Sequence, residues 1–197
     1  MTRTFHLTAG EIVASARVLL QDNRSDTGYR NSDPTLYGYL NDALGAMVSI
    51  APGLFARTGS LACVAGYLQT LDFDRAAGFL KVVGLREVDE ASLTEYLPGW
   101  TTGTPGAPIE WMRATGQPLR FMVYPPAVGG EQLAVDYMRA HDLIGADADL
   151  VQVPENYKPA LVEYVVGRAE LQDDEHVNSQ RAVQLLERFT AGVKALA

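Results

Sequence analysis

The stretch DNRSDTGYRNSD, residues Asp22 to Asp33, holds three aspartates and one glycine between two amphipathic segments. An oxygen-rich loop between helices can hold calcium. That chemistry needs oxygen ligands at loop positions 1, 3 and 5, a glycine at position 6 and a bidentate glutamate at position 12. Counted from Asp22, position 3 is Arg24, a cation, and position 6 is Thr27, with Gly28 one place late. Position 12 is Asp33, which reads better as the cap of the next helix. The loop is therefore expected to be a polar connection between two packed helices.

The other reactive residue types are scattered. Asp72 and Asp74 form a D-x-D pair that would share one face of a strand, but no histidine or third carboxylate lies near them in sequence, so a solvated strand end is expected. His6, His141 and His176 lie far apart, without the paired spacing of a zinc helix, and each is expected at the surface. No serine sits in G-x-S-x-G. Cys63, the single cysteine, lies beside Leu61 and Val64 and reads as a buried, inert thiol. The glycines form no phosphate cradle, and Gly129-Gly130 reads as a turn. Trp100 and Trp111 could line a sugar-binding face, but packing in a core or at its rim is the simpler role. No catalytic constellation, cofactor site or metal site is expected.

Composition narrows the class further. The chain has 197 residues, 47% apolar and 20% charged, as in ordinary globular proteins. No apolar run is long enough to span a bilayer, and MTRTFHLTAGE lacks the apolar region of a signal peptide. Its 24 acidic and 16 basic residues give a net charge of −8, with no basic stripe for nucleic acid. An acidic surface suits a protein that lets DNA pass without adhering, although solubility alone explains the charge.

The elements that would position these residues are legible at both ends. Thr8-Ala9-Gly10-Glu11 is a capping-box pattern, followed by Ile12, Ala16, Leu19 and Leu20 on one helical face. A second helix starts at Asp33-Pro34, with Asp33 as N-cap and Leu36, Leu40, Leu44, Met47 and Val48 as its stripe, ending at Ala51-Pro52-Gly53. A third starts near residue 155, tolerates Pro159 in its first turn and buries Leu161, Val162, Val165, Val166 and Ala169. After a turn at Gln172-Asp173-Asp174, a last helix carries Ala182, Leu185, Leu186, Phe189, Val193 and Leu196 on one face. The middle predicts strands within Ser60–Phe73, Phe79–Val88, Ile109–Ala114, Leu119–Tyr124 and Gln132–Met138. LRFMVYPP followed by EQLAVDYMRA reads as a hairpin. Arg120, Met122 and Tyr124 face one way, and Leu119, Phe121 and Val123 the other. Large side chains on both faces suit a small sandwich or barrel.

The expected fold class is α+β. N- and C-terminal helical pairs, residues 1–52 and 153–197, form one discontinuous four-helix base, and residues 60–142 form an inserted antiparallel β-sandwich or barrel. The chain ends in ERFTAGVKALA, with Arg188 and Lys194 beside an apolar stripe. A helical end of this kind can dock in a partner's groove through apolar anchors and orienting cations. Phe189 and Val193 are assigned to the internal core, and Lys194 and Leu196 to contact. A frayed end without a role is the alternative.

The order of motifs resembles the head-to-tail adaptor (connector) proteins of tailed bacteriophages. ARVLLQD matches that family's R-x-L-L-x-D helix at Arg17, Leu19, Leu20 and Asp22. SDPTLYGYLNDAL matches its L-x-x-x-L-N-D/E-A helix at Leu36, Leu40, Asn41, Asp42 and Ala43. The likeness continues through LTEYLPGWTTGTPGAPIEWM and FMVYPPAVGGEQLAVDYMRA. It closes with VPENYKPALVEYVVGRAELQDDEHVNSQRAVQLLERF, a tyrosine-containing helix, a short acidic turn and an aromatic near the last helix's end. Asn41, within an apolar stripe, is expected to hydrogen-bond a neighbouring backbone group.

The resemblance implies a structural virion protein and no enzyme. It implies a ring of twelve copies beneath the portal, lining part of the channel that double-stranded DNA crosses without sequence-specific binding. The implied partners are the portal protein and a tail or nozzle protein. The implied location is the head-tail neck of the virion, after synthesis in the host bacterial cytoplasm, with no membrane association. Because C-terminal segments engage the portal in that family, Arg188, Lys194 and Leu196 become candidate portal contacts. One alternative is a tail-completion or terminator protein. Another is a ligand- or glycan-binding β module on a helical oligomerisation base, which Trp100, Trp111 and Tyr124 on one exposed groove would mark. An enzyme would need a pocket gathering residues such as Asp72, Asp74 and His141.

Overall fold

The computed structural model describes residues 6–23, 28–172 and 179–197. The chain is α+β, and it divides into two compact units, Met1–Leu54 with His141–Ala197, and Phe55–Ala140.

In the first unit, helix α1 spans Ala9–Leu20 behind the expected capping box. The Glu11 amide donates to Thr8 Oγ1 at 3.3 Å, and the Thr8 amide donates to Glu11 Oε2 at 2.9 Å. Ile12, Ala16 and Leu20 are buried, but Leu19 is 47% exposed. Val13 and Arg17 join the buried side and turn the inner face away from Leu19.

Helix α2 spans Asp33–Ile50, and its N-cap is Ser32 rather than Asp33. Ser32 Oγ accepts from the Thr35 amide at 3.3 Å, while the Asp33 carboxylate is held by Arg17. Leu36, Leu40, Leu44 and Met47 are buried as expected, with Val48 half-buried at the edge.

A 3-10 turn at Glu155–Tyr157 leads into α4, Lys158–Gln172. Pro159 sits second in α4, where its missing N–H has no partner to lose. The expected inner residues Leu161, Val162, Val165, Val166 and Ala169 are all buried. Helix α5 spans Ser179–Leu196, and the acidic turn expected at Asp173-Asp174 lies outside the described residues. Helix α4 packs against α1, α2 and α5. A Cβ added at Gly167 would meet Ala182 O and Leu186 Cγ at 3.2 Å, so glycine permits the close approach of α4 and α5.

The second unit holds strands β1 (Ala56–Ala62), β2 (Gly66–Thr70), β3 (Ala76–Val82), β4 (Arg86–Glu87), β5 (Glu110–Arg113), β6 (Arg120–Ala127) and β7 (Gln132–Arg139). They form two sheets, ordered β1-β7-β3 and β2-β6-β5-β4, and neither is a closed barrel. The expected hairpin is overturned, because β6 and β7 lie in different sheets. β7 instead pairs antiparallel with β1, from Ala56↔Met138 to Ala62↔Gln132. The turn between β6 and β7 is bonded to the end of β1: the Cys63 amide donates to Glu131 O at 2.8 Å and the Gly130 amide to Cys63 O at 2.8 Å. The Glu131 carboxylate accepts from the Val128 and Gly129 amides at 2.8 and 2.7 Å; its own backbone amide first, and then these two, hold it below the usual glutamate range.

The alternation along β6 explains why both of its faces are apolar. Phe121 and Val123 join Phe79, Trp111, Leu133, Val135 and Tyr137 in one buried cluster drawn from both sheets. Met122 and Tyr124 face a second cluster with Leu93, Trp100 and Met112. Leu93 belongs to α3, Glu90–Tyr96, a helix that the sequence reading did not anticipate. Asp89 caps it, accepting from the Ser92 amide at 3.0 Å.

Candidate functional site

The loop after α1 is built around a buried ion pair. Arg17 Nη1 donates to Asp22 Oδ2 at 2.7 Å and to Asn31 O at 2.9 Å, and Nη2 reaches Asp33 Oδ1 at 2.5 Å. The guanidinium lies 3.7 Å from the centre of the Tyr29 ring. The Asp22 side chain is 0% exposed. Its Oδ1 accepts from the Arg30 amide at 2.8 Å, and its Oδ2 from the Asn31 amide at 3.1 Å. The carboxylate that would open a calcium loop thus faces a guanidinium and backbone donors. Arg24 and Thr27 lie outside the described residues, and among the described residues no group of three His, Cys, Asp or Glu is placed to hold a metal. Millimolar calcium is expected to leave the melting temperature unchanged; a rise tracking calcium concentration would show a site that binds the folded state.

Asp72 and Asp74 lie in the exposed turn after β2 rather than on a strand, and Asp74 accepts from Arg139 Nη2 at 3.0 Å. His6 is exposed, as expected, and His176 lies outside the described residues. His141 departs from expectation: it is only 8% exposed, with Nε2 3.2 Å from Asn41 Oδ1. It lies just beyond β7, where an α2 amide receives it. Asp72 and Asp74 belong to the other compact unit from His141. Cys63 is buried, and burial pushes its thiol pKa up. Trp100 and Trp111 are buried in different clusters, and Tyr124 is half-buried. Trp100 Nε1 donates to Thr94 Oγ1 at 3.2 Å, and Trp111 meets Phe79 edge-to-face at 5.0 Å. These aromatics do not make an exposed sugar-binding groove.

Helix α5 buries Ala182, Leu185, Phe189 and Val193, and Phe189 meets Tyr164 of α4 edge-to-face at 4.8 Å. Arg188, Lys194 and Leu196 are exposed but do not converge. Lys194 borders a shallow, mainly apolar groove with Val183, Leu186, Glu187, Thr190 and Ala191. Arg188 acts on Glu163 of α4, whose pKa burial raises and Arg188 lowers, with burial the larger effect. Leu196 lines a separate depression with Ile50–Leu54. The groove was not anticipated; its sequence signal was Val183 and Ala191, apolar residues outside the buried stripe.

Arg17 and Asp22 tie the end of α1 to the start of α2, while Leu36, Leu40 and Ala43 are buried. Asn41 bonds the backbone as expected, donating through Nδ2 to Ile144 O at 3.0 Å and accepting from its amide at 2.9 Å.

A comparison with curated proteins finds no match. Among solved structures, the chain is similar to one described as "Neck of empty GTA particle computed with C6 symmetry", at 21% identity and a TM-score of 0.29, covering 96% of this chain and 95% of that one. Identity and superposition at these levels carry no functional argument. The family model described as SU10 adaptor protein matches residues 7–197, and the chain therefore belongs to that family.

Proposed function

We propose that this protein is a structural component of a tailed-phage particle, an adaptor ring that joins the portal vertex to the tail and lines part of the DNA channel. The observation that carries the reading is the adaptor-family match over residues 7–197. In this reading twelve copies form a ring, meet the portal protein on one side and a tail or nozzle protein on the other, and work in the virion neck after synthesis in the host cytoplasm. The net charge of −8 supports passage of double-stranded DNA without adhesion. The role is architectural rather than catalytic. The helical residues before 53 and after 152 act as one discontinuous base, and the two sheets are the layers of a small inserted sandwich.

The direct test is electron microscopy of the purified chain mixed with the portal protein of the same phage. Ring-on-ring complexes are expected. Portal rings that stay bare under saturating protein would overturn the reading.

The portal contact is assigned to the C-terminal end of α5, with Arg188, Lys194 and Leu196 as separate exposed contacts rather than one patch. Deleting Val193–Ala197 is a poor test, because Val193 is fully buried. The exposed pair Lys194→Glu with Leu196→Asp is cleaner. Stability should fall by about 1 kcal/mol, because Lys194 is the cation in the last turn of α5 and carboxylates there oppose the helix dipole. Portal attachment in a pull-down should fall at least about tenfold, equivalent to about 1.4 kcal/mol. Undiminished attachment would place the docking surface elsewhere.

A further inference from the structure

We draw no further inference here: the strongest candidate, the apolar tip of the Phe55–Ala140 unit, where Gln69 and Glu131 pin two turns that expose Val64 and Val128, carries nothing because nothing in the structure shows what covers it.

Discussion

Arg17→Met is expected to destabilise the protein by about 3–5 kcal/mol, the range for removing one partner of a buried ion pair. The methionine fills similar space, so most of the loss comes from Asp22, a carboxylate with 0% side-chain exposure left with neutral donors, the Arg30 and Asn31 amides and Asn31 Nδ2. Asp33, the other carboxylate on Arg17, is 51% exposed, and water can solvate it in either state. Asp33→Asn should therefore cost only about 0–1 kcal/mol, as exposed pairs do. Denaturant unfolding followed by helical circular dichroism measures both. A second variant separates charge from packing. Asp22→Asn in the Arg17→Met background removes the stranded charge and keeps one acceptor oxygen for the Arg30 amide, while its NH2 replaces the oxygen that accepts from Asn31, so it should recover only part of the loss. Equal effects of Arg17→Met and Asp33→Asn would show that the pair is solvated and that the connection is held by other contacts.

The same ion pair shows where sequence reading stops. Helix starts are local signals: Thr8 and Glu11 lie three residues apart, and their hydrogen bonds follow from that spacing. The buried stripe of α2 follows from helical periodicity in the same way. The latch is different, because Arg17 meets Asp33 across 16 residues and one aspartate resembles another in sequence. Asp-Pro is a strong start signal and points to Asp33 as the cap; Ser32 takes that place, and Arg17 holds the Asp33 carboxylate. The false hairpin has a related cause. Adjacency and a glycine turn make β6 and β7 natural partners in sequence, and the alternation along β6 matches its two buried faces. Strand choice, however, depends on what covers each face. The residues that cover the second face of β6, Leu93 and Trp100, lie in a segment where no helix was expected. His141 escaped for the same reason, since a lone histidine does not announce the distant Asn41 that receives it.

Trp111→Ala is expected to cost about 3–5 kcal/mol, the range for a buried tryptophan. Trp111 is 2% exposed, packs edge-to-face on Phe79 and shares its cluster with Phe121, Val123 and Val135. A sugar-binding tryptophan would stand exposed, and its loss would weaken ligand binding while leaving the melting temperature near its parent value. Cys63 supplies a local reporter, because it lies in the same cluster and burial both shields its thiol and raises its pKa. A disulfide reagent should label native Cys63 slowly, at a rate set by the population of the opened state. Each 1.4 kcal/mol corresponds to tenfold in that population, so Trp111→Ala should speed labelling by about a hundredfold or more. Leu40→Ala is the matched control. It removes a fully buried leucine from α2, in the other compact unit, and should cost about 2–5 kcal/mol there. If the β unit folds as an insertion with its own core, Leu40→Ala lowers the helical transition and leaves Cys63 labelling near the wild-type rate. Equal acceleration by both substitutions would mean that the two units unfold as one, and the inserted-subdomain reading would fall.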